Sequence, residues 1–443
     1  MKIEIRTKTQ KNLIIVSIIA FTAIFISSFN KETSSTSPED IPEQELMPAA
    51  LNQMLSNELS ALPQTTTLDQ QIDRFLKRWE IKGASIAIMK DEKLIYAKGY
   101  GWADQENNER TDVRHIFRLA SVSKLITAVA IMKLREEGRL SLEDKIFGEG
   151  AILDSPEFSR YRDKRVTRIT VEHLLRHKGG FSNRAGDPLF SLAIIKDRLK
   201  LDRAVTEDEL IQYVLSRRLG YTPGTSTIYS NFGYLLLSKV IEKVSGESYE
   251  QYVKERLLKP NGIYDMYLAH NYYSEKYDNE VRYYEPSNQQ PIRSYNGSDS
   301  LMPRCYGGNN IRLLSGAGAW VASPVELLKL ISMIDGRDNV PDIISKESVR
   351  LMTSSGPSIL PMGWAKCTSS GDWSRTGTLS GSSAMVKYNR HGYSWVFITN
   401  TSSWRGSRFP RSIDYFFKGA LQKVTDWPHR DLFNVTVPES ARS

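Results

Sequence analysis

Apolar and polar positions follow two periods along this chain, and the places where the period changes mark out its elements. Ala84–Lys90 (ASIAIMK) and Lys93–Gly101 (KLIYAKGYG) are β-rich runs joined by Asp91-Glu92, which predicts two strands in a hairpin. Ser121–Glu137 has helical spacing and closes on Gly138, a residue suited to the position after a helix end. Its first half is apolar nearly all round (Leu125, Ile126, Ala128, Val129, Ile131, Met132), as in a buried helix. From about Arg139 to Leu314 the signals are mainly helices and loops, with helices expected at 171–177, 206–217, 231–245 and 248–258. Tyr264–Tyr306 carries nine tyrosines and no clear period, so it is either a wall of a substrate site or a cover over the helical region. A helix is expected over Pro324–Ile334 from a Ser323 cap. Three strand-like runs follow at Trp373–Leu379, Ser383–Tyr388 and Tyr393–Thr399, then an amphipathic helix near Arg411–Lys423.

Strands at both ends of a helical middle predict an α/β domain whose sheet is assembled from the two termini. The sheet region would comprise 67–138 and 315–424, with a mainly helical region at 139–314 inserted and a site at the seam. The flanks read differently. Lys2, Arg6, Lys8 and Lys11 precede an apolar stretch from Leu13 to Phe29, so residues 1–30 are expected to be an export signal or a single membrane anchor. The stretch exceeds a signal core of about 7–15 residues and falls short of a span of about 20. No A-x-A-like site follows, which favours an uncleaved anchor, and no nearby cysteine allows a lipoprotein. Residues 31–66, rich in Ser, Thr, Pro, Glu and Gln, are expected to be a flexible linker, and 425–443 a C-terminal tail.

Charge and cysteine content narrow the functional classes. The net charge of +8 divides into +3 for residues 1–30, −5 for 31–66 and +10 for the remainder. A basic catalytic domain suits an anionic wall or membrane face, and equally an ordinary solvated surface. No basic run interleaved with aromatics and no finger spacing is present, so a nucleic-acid partner is not expected. Cys305 and Cys367 are the only cysteines, too far apart in sequence for a C-x-x-C site, and whether they pair is left open. Six scattered histidines form no H-E-x-x-H pattern, so neither a metal nor a cofactor is expected.

Three short motifs carry the chemistry: Ser121-Val-Ser-Lys124, Tyr229-Ser-Asn231 and Arg375-Thr-Gly377. Each alone is weak, since a surface lysine, a helix cap or an edge-strand arginine explains it. Together they hold a nucleophile, a base, a proton shuttle and a cationic anchor. Ser121 and Lys124 share a helix face, and burial plus the positive end of the helix push the lysine towards a neutral amine. The free N–H groups of that turn point where an oxyanion would form. Tyr229 can relay a proton, and Asn231 can hold both Lys124 and a substrate carbonyl. On the third motif, Arg375 faces a pocket, Gly377 lets substrate approach the backbone, and the Thr378 N–H can complete an oxyanion hole.

The chain resembles the serine hydrolases of the β-lactamase fold, in the group of class C β-lactamases, D,D-carboxypeptidases, D-aminopeptidases and related esterases. The likeness spans roughly residues 70–424 and includes Gly83-Ala-Ser-Ile-Ala, Gly99-Tyr-Gly-Trp-Ala-Asp, Phe117-Arg-Leu-Ala-Ser-Val-Ser-Lys, Ile169-Thr-Val-Glu-His-Leu-Leu-Arg-His, Gly316-Ala-Gly-Ala-Trp and Met362-Gly-Trp. It implies an antiparallel sheet flanked by helices, with Ser121 as the acylated nucleophile and Lys124 and Tyr229 as base and proton relay. It further implies Asn231, Arg375, Thr376 and Gly377 as substrate-binding residues, and the Ser121 and Thr378 amides as the oxyanion hole. The implied substrate is a D-amino-acid peptide, another small peptide, an ester or a cell-wall-like molecule; from the N-terminal pattern, membrane contact is expected only through that segment. The third motif departs from the family, which usually has Lys or His where Arg375 stands. Arginine cannot act as a base, but its planar fork suits a carboxylate. The departure bears on β-lactam turnover more than on hydrolysis as such.

Overall fold

The computed structural model describes residues 49–435 except Ala185. The expected signal or anchor at residues 1–30 lies outside the described residues, and no helix among those described is long and apolar enough to cross a membrane.

The central sheet has seven strands: β1 (Gly83–Lys90), β2 (Lys93–Asp104), β3 (Glu109–Arg110), β4 (Lys366–Cys367), β5 (Asp372–Leu379), β6 (Ser382–Asn389) and β7 (Tyr393–Thr399). Their order is β3-β2-β1-β7-β6-β5-β4, and every neighbouring pair is antiparallel. The sheet is therefore built from both ends of the chain, closed where β1 pairs with β7 from Ala84 opposite Thr399 to Lys90 opposite Tyr393. The uninterrupted apolar run of β1 has a simple cause: both faces of the sheet are covered. Ala84, Ile86 and Ile88 face an outer layer made by α1 (Thr66–Trp79) and a C-terminal helix at Phe409–Ala420. Ala87 and Met89 face the main core.

On that inner face lie α2 (Ser123–Glu136), α3 (Leu192–Leu199), α4 (Glu207–Leu215), α5 (Asn231–Ser245) and α6 (Pro324–Ser332), with α7 being the outer C-terminal helix. Helix α2 is almost wholly buried, as its all-round apolar sequence predicts. It packs between the sheet and α5, and Gly316 permits a close approach there, since a Cβ would sit 2.6 Å from the Tyr234 carbonyl. The expected helix at 248–258 begins as an α-turn at Tyr249–Tyr252 and widens into a π-helix over Val253–Leu258.

Two boundaries need correction. Residues 49–66 are not a flexible linker but three short 3₁₀ turns fastened to the body. Leu51 and Leu55 are buried, Asn52 donates to Asp265, and Asn57 donates to the Gly99 carbonyl. The polar composition misled because these side chains are satisfied by long-range partners that a local window does not contain. Residues 425–435 likewise belong to the body rather than to a tail: Trp427 and Leu432 are buried, and the Asp431 carboxylate accepts from the Leu94 N–H. Cys305 and Cys367 are both buried free thiols.

Candidate active site

Ser121 sits in a tight turn, Ala120–Val122, that leads into α2. Ala120 is held at φ +48, a left-handed conformation that an L-residue adopts at a cost. The main chain is thereby folded so that Ser121 projects from the turn, and no backbone partner takes the Ser121 N–H among the described residues. Ser121 lines a cavity of about 380 Å³.

One turn along, Lys124 is completely buried. Its Nζ donates to Asn231 Oδ1 at 2.7 Å and to the Ala317 carbonyl at 2.6 Å. Both partners are pure acceptors, so two of the three amine positions are occupied and the remaining one is aimed at Ser121 Oγ, 3.3 Å away. Burial lowers the lysine pKa to about 8, with the Arg375 charge assisting and the Tyr229 oxygen opposing.

Tyr229 reaches the same serine from the other side, its Oη 2.6 Å from Ser121 Oγ. Tyr229 as a residue is 42 % exposed, while its hydroxyl lies between Ser121 and the Arg375 guanidinium. Desolvation pushes the phenol upward, but the charges of Lys124 and Arg375 outweigh it and bring Tyr229 down to about 8. Two groups of nearly matched proton affinity thus converge on one hydroxyl, a condition for moving its proton in either direction near neutral pH.

Arg375 does not extend a free fork into the cavity. Its Nε donates to the Ser121 carbonyl at 2.8 Å and its Nη2 to Tyr229 Oη at 3.2 Å, with the side chain only 4 % exposed. It clamps the backbone of Ser121 and sets a positive charge beside the phenol. Gly377 also serves a purpose other than substrate approach. A Cβ there would lie 2.2 Å from the Leu119 carbonyl and 3.2 Å from Ser121 N, so the missing side chain lets β5 lie against the nucleophile turn.

The strand register decides what Thr376 and Thr378 present. The Ser374 carbonyl accepts from Ala365 N, so the backbone groups of the even-numbered residues point away from β6 towards the strand's outer edge. Beyond Ser374 that edge is unpaired, because β4 reaches only Trp373 and Ser374. The Thr376 and Thr378 amides therefore face the cavity, and Thr378 follows the glycine packed against Ser121 N.

Several contributors escape sequence reasoning. Asp187 accepts from Asn231 Nδ2 at 2.7 Å, which fixes the amide with its oxygen towards Lys124. Asn183 donates to the Tyr229 carbonyl, and the His177 ring packs 4.6 Å from the Tyr229 ring. His177 accepts from Ser230 N, and burial beside Lys124 and Arg375 holds it neutral, well below the usual imidazole range. His177 and Ala317 lie within runs already noted, Ile169–His177 and Gly316-Ala-Gly; Asp187 had no local signal. Ser230, not Asn231, caps α5, its Oγ accepting from Gly233 N, which frees both ends of the Asn231 amide. Of the tyrosine-rich segment, none of the nine tyrosines lines the Ser121 cavity. Its Pro286, Asn288, Gln289 and Arg304 instead line an adjoining cavity of about 460 Å³ that shares Phe190, Thr378 and Leu379 with it. Among the described residues no group of three or more His, Cys, Asp or Glu side chains is placed to hold a metal ion.

A family model described as Beta-lactamase matches residues 68–415, nearly the whole of this body. The chain belongs to the β-lactamase family. It is a serine hydrolase of that fold. Protein flp of Staphylococcus aureus (strain MW2) is 29 % identical over 211 residues, 48 % of this chain and 40 % of flp, so the match spans well under half of that relative. The octameric penicillin-binding protein homologue from Pyrococcus abyssi superposes with a TM-score of 0.59 at 26 % identity, covering 82 % of this chain and 79 % of that one. A D-amino acid amidase from Ochrobactrum anthropi SV3 has the same fold, with a TM-score of 0.63 at 19 % identity over 82 % of this chain and 99 % of the amidase.

Proposed function

We propose that this serine hydrolase cleaves small peptide amides or esters through an acyl-enzyme on Ser121. The observation that carries this reading is the convergence of Tyr229 Oη, at 2.6 Å, and Lys124 Nζ, at 3.3 Å, on Ser121 Oγ. Tyr229 is the nearer base. As a phenolate stabilised by Lys124 and Arg375, it takes the serine proton while Oγ bonds to the substrate carbonyl carbon. The negative charge that collects on the carbonyl oxygen is met by the Ser121 and Thr378 amides. Collapse breaks the bond to the leaving amine or alcohol, which receives the proton now on Tyr229. A water deprotonated by Tyr229 then releases the acid and restores Ser121. Asn231, held by Asp187, positions Lys124 and offers hydrogen bonding to the bound acyl group.

Phe190, Leu360 and Trp364 give the cavity an apolar side, which suits an acyl portion with a hydrophobic side chain. Within the class, D-amino-acid peptides are the preferred candidates, in keeping with the fold shared with a D-amino acid amidase. Export, with or without retention by residues 13–29, is proposed from the basic and apolar pattern of the first thirty residues.

A fluorophosphonate probe followed by peptide mass spectrometry tests the reading. One adduct on Ser121 is expected, absent from Ser121→Ala; a folded protein that stays unlabelled overturns it and leaves a binding role. A second reading, turnover of β-lactams, draws on the family match. Because Arg375 is occupied by Ser121 and Tyr229, a short burst of nitrocefin hydrolysis is expected rather than sustained turnover.

A further inference from the structure

A second cavity lies apart from the one that holds Ser121. It encloses about 620 Å³ between α3, the end of α4 with the turn after it, and the 181–188 loop. Its floor is apolar: Phe181, Ile195, Leu219 and Phe232 are buried there, while Ile194 stays 55 % exposed at the mouth. Its rim carries five arginines, Arg162, Arg184, Arg198, Arg217 and Arg218, and no carboxylate lines it.

Like charges gathered around an apolar floor repel one another and need an explanation. Among the described residues none of the five is in an ion pair, and several acids near them in sequence have other partners. Asp163 holds Arg165, Asp197 holds Arg293, Glu209 holds Arg203, and Asp187 holds Asn231. Two of the five are drawn together rather than splayed apart: Arg198 and Arg217 donate to the same Tyr213 hydroxyl, at 2.6 Å and 3.1 Å. The guanidinium groups of Arg162, Arg184 and Arg218 take part in none of the hydrogen bonds formed among the described residues. Unpaired cations held side by side over buried aromatic and aliphatic groups form a two-part receptor, one part for an anion and one for an apolar body.

We propose that this cavity binds a monomeric anionic amphiphile, with a carboxylate or phosphate head between Arg198 and Arg217 and an aliphatic body on Ile194, Ile195, Phe181 and Phe232. The site is separate from the reaction, and the proposal does not depend on what Ser121 hydrolyses. It lies against the reaction machinery nonetheless, since Ser230 and Phe232 flank Asn231 on α5 and Asn183 of the same loop holds the Tyr229 carbonyl.

The full chain is titrated with decyl phosphate below its micelle concentration, with decanol and inorganic phosphate as separate arms. Saturable one-to-one binding is expected, at least about tenfold tighter than in either partial arm, because each lacks one half of the contact. Arg198→Glu/Arg217→Glu and, separately, Ile194→Asp are each expected to weaken it about tenfold or more while probe labelling of Ser121 stays at its native level. A variant that fails to fold is replaced by a measurement on the native chain: decyl phosphate should protect Arg198 and Arg217 from phenylglyoxal, read by mass spectrometry. Binding of decanol or phosphate as tight as that of decyl phosphate overturns the proposal. So does unchanged affinity in the folded variants, absence of protection, or association with anionic vesicles but not with the monomer.

Discussion

At the scale of single residues, the proposed reactivity rests on one buried amine and one phenol that share a hydroxyl beside a guanidinium. Lys124 and Tyr229 each stand at about 8, and Arg375 lowers both. A base must be deprotonated to act, so kcat/KM for a simple ester should rise with pH and level off above about 8. Arg375→Ala removes a charge that favours the deprotonated forms, so the rising limb should move to higher pH as well as lose height. A limb that stays in place while only KM for free-carboxylate peptides rises would return Arg375 to the role of carboxylate anchor. Gly377→Ala places a methyl 2.2 Å from the Leu119 carbonyl. Strand β5 must then separate from the nucleophile turn, at a cost of about 1–3 kcal/mol in thermal or denaturant unfolding and with loss of Ser121 labelling. Unchanged stability and labelling would show that the turn adapts.

At the scale of elements, the site is a meeting of three that each bring one motif. Helix α2 and the turn that leads into it bring the lysine and the serine, the start of α5 the asparagine, and the open edge of β5 its outward amides. The loop at 183–187 ties them, through Asn183 to Tyr229 and Asp187 to Asn231. Asp187→Ala should leave the fold intact yet lower kcat about tenfold or more, the worth of a hydrogen bond to a charged group. It should also shift the pH–rate limb slightly to lower pH, because Asp187 raises the Lys124 pKa. This shift is opposite in sign to that of Arg375→Ala, so one set of pH profiles separates the two roles. A common direction for both variants would mean that local distortion, not charge, is being read.

At the scale of the whole molecule, the sheet needs both ends of the chain and both faces covered. The segment before α1 is part of that closure: Leu51 donates its N–H to buried Glu326, and Asn52 and Gln53 both donate to Asp265. A chain begun at residue 67 should therefore melt lower than one begun at residue 48. Burial of Leu51 and Leu55 alone is worth about 1.5–3 kcal/mol each. Equal melting temperatures would restore the description of this segment as a tether.

Strands, helices and the three motifs were legible in the sequence because period, capping and short spacings are local properties. Ser121 and Lys124 lie one helical turn apart, so their proximity follows from the chain alone. Family membership followed from the same short runs. What only the tertiary structure decided depends on contacts across long separations. Asp187 meets Asn231 across 44 residues, and Arg375 reaches Ser121 across 254. The same holds for the packing of 49–66 and 425–435, whose polar groups find partners far along the chain. The arginine in the third motif was readable as a residue. Its engagement with the Ser121 carbonyl and the Tyr229 hydroxyl was not, because a side chain's partners depend on which backbone the fold sets beside it.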